Sequence, residues 1–247
     1  MDTVKNFPTE VIELPSKGLV YPDSNPLSSG QIEMKYMTAK EEDILTNQSY
    51  IQKGVVLDKL LQALIVSKID YNDLIVGDKN AIMVAARVLG YGKDYTFDYN
   101  GNEYTVDLSQ IDNKPFEIQN KGVNEFNYTL SSTGTNITYK ILTHGDEQKI
   151  QAELEGLKKI NKNSSAELST RLKYMITSVG GDRDPKTIRE FVDNHLLARD
   201  SRELRKHIKN TQPDVDLTFF PDGNTDRIDI PVGVKFFWPD FWDRASI

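Results

Sequence analysis

Histidines and paired aspartates are the residue types in this chain that could carry acid–base chemistry or bind a metal. The histidines lie far apart in the sequence, and none has a partner at the spacing of a metal or catalytic motif. We therefore expect His144, His195 and His207 to be surface or capping residues. Asp78 and Asp200 could converge in a cleft as the carboxylates of a hydrolase, but their positions at helix starts favour a capping role.

Nucleophile and phosphate-binding motifs give no stronger signal. The loop Gly180–Asp184 (GGDRD) lacks the Lys and Ser/Thr of a phosphate-binding loop and the oxygen-ligand spacing of a calcium loop. No Gly-x-Ser-x-Gly motif marks a nucleophilic serine. The chain has no cysteine, which excludes disulfides, thiolate nucleophiles and thiolate metal sites. We expect a non-enzymatic protein without cofactor, metal or small-molecule substrate.

Composition indicates a globular protein that does not bind nucleic acid or membranes. The 247 residues are 38% hydrophobic and 27% charged, with a net charge of −7. This charge repels nucleic acid and anionic membrane surfaces. Neither a signal peptide nor an apolar run long enough to span a membrane is expected, so we predict assembly in a reducing cytoplasm.

The chain repeats itself. Asp94–Leu108 aligns without a gap with Asp216–Ile230, and further upstream Ile32–Glu42 aligns with Ile137–Glu147. Because the two pairs occur in the same order, they predict one module used twice, in a pseudo-symmetric body or as two small lobes. Chance similarity between strand–turn–strand segments is the alternative, but a shared turn does not account for the matching flanks.

Each module is predicted to contain a strand, two or more helices and a β-hairpin, so the fold class is α+β. The first module has a strand pattern over Gln31–Met37 and a hairpin pattern over Tyr95–Leu108. Its helices are predicted over Val55–Ser67 and Asp78–Leu89. The second module has a predicted strand over Ile137–Leu142, followed by predicted helices over Asp146–Ile160, Ser165–Val179, 184–197 and Ser201–Lys209.

These modules define four regions. They are an extended Pro-rich arm over 1–31, module 1 over 32–136, module 2 over 137–230 and an aromatic segment over 231–247. Capping and turn residues support the element boundaries, through one capping box and two tight hairpin turns. The residues assigned to these caps and turns are Thr38, Glu41, Asn100, Gly101, Asp222 and Gly223.

Two apolar segments near the chain ends are predicted to bind partner proteins. Tryptophan and phenylalanine anchor many interfaces, and both tryptophans of the chain lie in the C-terminal segment. The alternative is that this segment folds back over its own core. The residues assigned to partner binding are Phe236, Phe237, Trp238, Phe241 and Trp242, together with Leu19 and Tyr21 of the arm.

A basic stripe precedes the second hairpin. It is either a solvated helix face, with cations near the helix C-terminus, or a contact for an acidic partner surface. Its members are Arg199, Arg202, Arg205, Lys206, His207 and Lys209.

Several long motifs occur in order over nearly the whole chain. They are LPSKGLVYP (Leu14–Pro22), PLSSGQIEMKYMTAKEEDIL (Pro26–Leu45), VLDKLLQALIV (Val56–Val66), VGDKNAIMVAARVLGYG (Val76–Gly92), ARDSRELRKHI (Ala198–Ile208) and IPVGVKFFWPDF (Ile230–Phe241). Together they resemble the family of T-even-type phage baseplate hub subunits. Many members of that family carry Cys-x-x-Cys pairs in the two hairpin regions, which read as zinc ribbons. The matching positions here, around Tyr99–Glu103 and Pro221–Asp226, hold no cysteine, so zinc is not carried over.

The resemblance implies a structural component of the baseplate hub of a contractile tail, located in the virion and bound to other tail and baseplate proteins. The alternative within the family is a transient hub-assembly chaperone that the virion does not retain. A carboxylate-based hydrolase is the third hypothesis.

Overall fold

Helices alternate with small antiparallel sheets along the chain, which confirms the predicted α+β class. The computed structural model describes residues 8–118, 120–160, 166–221 and 227–237. The elements of the first half are β1 (Thr9–Glu13), β2 (Gln31–Lys35), α1 (Ala39–Leu45), α2 (Gln48–Gln52), α3 (Val56–Leu64), α4 (Val76–Tyr91), β3 (Asp94–Tyr99) and β4 (Asn102–Asp107).

The second half follows a similar order. Its elements are β5 (Phe126–Thr129), β6 (Asn136–Tyr139), α5 (His144–Ile160), α6 (Glu167–Met175), β7 (Ile176–Val179), α7 (Pro185–Asn194), α8 (Ala198–Thr211), β8 (Thr218–Phe219), β9 (Ile228–Asp229) and a final 3₁₀ turn, Val234–Phe237.

The prediction of one helix over Ser165–Val179 is wrong in its last turn. The helix α6 ends at Met175, and the chain continues as β7, which pairs antiparallel with β6. The β-branched residues of Ile176–Val179 favour a strand once a partner strand is beside them. That partner is distant in sequence, so the periodicity of α6 alone did not reveal it.

The described part of the N-terminal segment, from Pro8 onward, packs into the fold rather than forming an extended arm. Strand β1 pairs with β2 in antiparallel register, with Ile12 opposite Ile32. The loop between the two strands buries Leu14, Val20 and Leu27. The prolines do prevent a long helix here, but the apolar side chains between them pack inside the molecule.

Each half places an extended residue beside its central strand, directly after a helix. Ile65 follows α3 and pairs with Met34 of β2. Ile176 follows α6 and pairs with Tyr139 of β6. In both halves, therefore, the residue directly after a helix pairs with a strand at the same edge of a small antiparallel sheet.

Two hydrophobic cores lie side by side. The first is built mainly from the strands and helices of the first half, together with Ile141, Val215, Ile230, Phe236 and Phe237 from later in the chain. The second is formed by the sheet β5–β6–β7 and helices α6, α7 and α8, and it buries Leu130, Ile137, Leu172, Phe191 and Leu204. The late part of the chain thus completes the first core.

Candidate functional site

Asp78 is a buried structural anchor and not the N-cap of α4. It is the third residue of the helix and is 0% exposed. Its carboxylate accepts the backbone N–H of Ser16 at 2.9 Å, the Ser16 hydroxyl at 2.7 Å and the Tyr21 hydroxyl at 2.6 Å. Burial raises the pKa of Asp78 despite these bonds. The carboxylate therefore fastens the N-terminal loop to α4.

Asp200 has the matching role in the second half. It is the third residue of α8 and is also 0% exposed. One carboxylate oxygen accepts the backbone N–H of Ser132 at 2.9 Å and lies 3.4 Å from the Ser131 hydroxyl. Asp78 and Asp200 are each bonded to a loop of their own half, so the geometry gives them no shared catalytic cleft.

The loop Gly180–Asp184 is explained by its own hydrogen bonds. Asp182 accepts the backbone N–H of Asp184 at 2.8 Å, and Asp184 is the N-cap of α7, where it accepts the backbone N–H of Lys186 at 2.9 Å. Arg183 binds Glu125 through two parallel bonds of 2.7 and 2.8 Å. The polar side chains of this loop are used in joining β7 to α7.

Two of the three histidines, His144 and His207, are not the surface or capping residues that we expected. His195 is the exposed C-cap of α7. His144 is only 6% exposed, and its ring packs edge-on against Tyr71 at 4.7 Å. His207 lies with its ring 4.8 Å from that of Tyr128, and burial lowers its pKa.

A wide polar cleft lies between α3, α4 and α5 and has a volume of about 890 Å³. At its base, Asp58 accepts the Tyr71 hydroxyl at 2.9 Å and forms a salt bridge with Lys79. His144 Nδ1 lies 3.8 Å from Asp58 and 3.5 Å from Lys79, and its Nε2 lies 3.0 Å from Gln148 Nε2. This cluster was not predicted from the sequence, because its members come from four separate segments.

This cleft joins the halves of the molecule, and several of its charged side chains are paired with one another. Neither Ser, Thr nor Cys is among its lining residues, and Asp58 is already paired. The His144–Asp58 separation exceeds hydrogen-bond length. The backbone N–H of His144 donates to Leu74 O at 2.7 Å, and Thr143 pairs with Ile75. Across the parts of the chain that the structure describes, no group of three His, Asp or Glu could hold a metal ion.

The prediction of a partner-binding surface is corrected for three aromatic residues. Tyr21, Phe236 and Phe237 are 4%, 1% and 0% exposed. The Phe236 ring packs edge-on against Tyr95 at 4.8 Å and against Phe237 at 5.5 Å. Aromatic side chains this deeply buried stabilise the core and are not available to a partner.

The other residues assigned to partner binding have different positions. Leu19 is half-buried and packs against the first core. Trp238, Phe241 and Trp242 lie outside the described residues.

The capping prediction at α1 identified the right residues. Glu41 accepts the backbone N–H of Thr38 at 3.1 Å and the Thr38 hydroxyl at 2.6 Å, and Lys35 Nζ lies 2.8 Å away. Burial opposes ionisation of Glu41, but these hydrogen bonds prevail and lower its pKa to about 2. Residues Asn100 and Gly101 both have positive φ, 53° and 78°, as a two-residue hairpin turn requires. Asp222 and Gly223 lie outside the described residues.

The basic stripe lies on the outer face of α8. Arg199 is 78% exposed and pairs with Glu203 at 3.1 Å. Arg202, Lys206 and Lys209 are exposed, and within the described chain none of them forms a salt bridge. One member, His207, is half-buried instead, with its ring beside that of Tyr128.

Comparison of the chain with protein-family models, with curated proteins and with solved structures finds no match. The described helices include none with the length and apolar character needed to cross a bilayer.

Proposed function

We propose that this protein is a non-enzymatic structural component of the baseplate hub of a contractile phage tail, and that it works through contacts with other tail and baseplate proteins. The proposal starts from the motifs that resemble the T-even-type hub family. On this proposal the protein resides in the virion and is assembled in the host cytoplasm.

The observation that carries the proposal is that two of these motifs meet in one buried cluster. Ser16 and Tyr21 belong to the motif Leu14–Pro22, and Asp78 belongs to Val76–Gly92. Their side chains bind one another inside the first core. Motif residues buried in this way stabilise the fold and do not face a substrate, which supports the non-enzymatic form of the proposal.

We also propose that the two halves are copies of one module. Two sets of matched contacts support this tandem duplication. The first set surrounds the start of the first helix in each half. Lys35 and Thr38 bind Glu41, and in the second half Lys140 and Thr143 bind Asp146 with distances of 2.8 and 3.2 Å. These residues occupy matching places in the aligned segments Ile32–Glu42 and Ile137–Glu147.

The second set joins a serine loop to a helix. After β1, the Ser16 backbone N–H donates to Asp78 at 2.9 Å. After β5, the Ser132 backbone N–H donates to Asp200, also at 2.9 Å. On this proposal each copy begins with the strand before its serine loop, so β1 and β5 are equivalent and the first copy includes most of the segment predicted as an arm.

A transient hub-assembly chaperone is the alternative function, because the buried cluster and the matched contacts fit a permanent subunit and an assembly factor equally well. A hydrolase based on Asp78 and Asp200 has less support, since both carboxylates are buried and bonded to different loops. Their bonds to the serine loops account for them without a substrate.

Quantitative mass spectrometry of purified virions and of infected cells tests these functions together. A structural subunit is expected in purified virions at a fixed number of copies per tail. An assembly chaperone is expected in infected cells and in hub intermediates, but not in purified virions. Failure to associate with either tails or hub intermediates would overturn the proposed function in both forms.

A further inference from the structure

Helices α4 and α8 occupy matching places in their halves but differ in what covers them. Every residue of α4 is buried or half-buried. Helix α8 leaves one long face exposed, and that face carries the cations Arg199, Arg202, Arg205, Lys206 and Lys209. The exposed face of α8 is therefore a candidate surface for a binding partner.

Asp78 and Asp200 fix how the two helices correspond. Each is the third residue of its helix, is fully buried and binds a serine loop. Both helices therefore present the same side inward. Gly77 and Asn80 of α4 then correspond to Arg199 and Arg202 of α8, because each pair lies one residue before and two residues after the anchoring aspartate.

An acidic segment, Pro213–Asp216, covers this face of α4. A Cβ atom on Gly77 would lie 1.8 Å from the Pro213 carbonyl oxygen, so the segment crosses the helix in direct backbone contact. Asn80 Nδ2 donates to Asp214 Oδ1 at 2.9 Å, and Lys114 Nζ lies 3.8 Å from the same carboxylate. The cover of α4 is thus an extended chain with a carboxylate placed over the first turns of the helix.

We propose that the exposed face of α8 binds an extended acidic segment of another protein, in the position that Pro213–Asp216 takes on α4. Arg202, Lys206 and Lys209 follow one another at three- or four-residue spacing, so their side chains line one face. They have no salt-bridge partner among the described residues. Arginine in place of Gly77 prevents close backbone contact, so carboxylates are held by the long cationic side chains instead.

The partner is a different protein and not a second copy. The one segment of this chain seen in the covering role is already engaged with Gly77 and Asn80. The segment that covers α4 is a polypeptide with a carboxylate, and this precedent favours an acidic protein segment over a nucleic acid as the occupant of α8. The inference that this partner is a tail protein rests on the proposed function. The inference that the partner is acidic does not.

Fluorescence anisotropy with the full chain tests the proposal. The probes are fluorescein-labelled octaglutamate and a labelled deoxythymidine octamer, each titrated at low and at near-physiological salt. The test variant is Arg202→Glu with Lys206→Glu. The control variant is Lys40→Glu with Lys149→Glu, which changes the net charge equally at two exposed helical lysines elsewhere. Circular dichroism and thermal melting check that both variants fold like the parent.

We expect the parent to bind octaglutamate more tightly than the deoxythymidine octamer, and the Arg202/Lys206 variant to lose about tenfold in affinity for octaglutamate. The control variant should lose much less. Equal losses in the two variants would show a general charge effect and overturn the proposal. Tighter binding of the oligonucleotide would assign the face to nucleic acid instead. Neither outcome depends on whether the protein is found in tails, so the proposed function is tested separately.

Discussion

The Tyr21 hydroxyl donates to the Asp78 carboxylate at 2.6 Å, although the two residues are 57 positions apart in the chain. The same hydroxyl accepts the backbone N–H of Ile75 at 3.2 Å. Burial and the neighbouring Asp78 charge raise the pKa of Tyr21, so the hydroxyl keeps its proton. One side chain thus links the N-terminal loop both to the start of α4 and to its buried carboxylate.

Replacing Tyr21 by Phe should lower the free energy of unfolding by about 1–3 kcal/mol, because Asp78 and the Ile75 N–H lose a buried hydrogen-bond partner. Urea denaturation followed by circular dichroism measures this change. Tyr36→Phe is the matched control, since Tyr36 is 37% exposed. Equal stability of the two variants would show that the Tyr21 hydroxyl contributes nothing to the fold.

Replacing Thr38 by Ala should destabilise the protein by about 1 kcal/mol, the usual effect of removing a hydroxyl at a helix start. The lost bond is the one from the Thr38 hydroxyl to Glu41. Thermal melting detects the change, and Thr143→Ala provides a parallel variant at the start of α5, where the Thr143 hydroxyl lies 3.3 Å from Asp146. A melting curve of Thr38→Ala that overlays the parent would contradict the capping role.

Acidification should weaken the junction around His144. Burial, aided by Lys79, lowers the pKa of His144 below 6.5, although Asp58 and Glu147 favour the charged ring. As the pH falls below about 6.5, the unfolded chain gains a proton at this residue before the folded chain does, so stability is lost. Denaturation of His144→Gln across pH 7.5 to 5 should show a smaller loss than the parent. A loss identical to that of the parent would exclude His144 as its source.

The phenylalanines and the tryptophans of the aromatic C-terminal segment have different predicted roles. Phe236→Ala with Phe237→Ala should destabilise strongly, by about 3–5 kcal/mol for each fully buried ring. Trp238→Ala with Trp242→Ala should instead leave a folded protein that fails to join the tail assembly. Circular dichroism and co-sedimentation with tails separate the two effects. Normal assembly of the tryptophan variant would remove this segment from the interface.

Local sequence signals predicted those parts of the fold that local interactions determine. The turn at Asn100 and Gly101, the capping box of Thr38 and Glu41 and the helix α4 follow from neighbouring residues, and the structure contains all three. The duplication remains a prediction that the matched anchors Asp78 and Asp200 support.

Positions that depend on distant residues were not predictable in the same way. Tyr21 looked like part of an exposed arm because its partner, Asp78, lies in another motif. Strand β7 looked like the end of a helix because its pairing partner, β6, precedes α5. The cluster of Asp58, Tyr71, Lys79 and His144 likewise exists only once both halves have come together.

The close passage of Pro213 over Gly77 has a consequence for synthesis on the ribosome. Helix α4 is made well over a hundred residues before the segment that closes over it, and also before Phe236, Phe237 and the Pro231 carbonyl that accepts the Tyr95 hydroxyl at 3.1 Å. A nascent chain that has just emerged as far as α7 therefore holds an apolar helix with one side still open to solvent. Completion of the first core therefore waits until residues 213–237 have been synthesised, and truncated products ending before residue 213 should be prominent targets for chaperones and proteases.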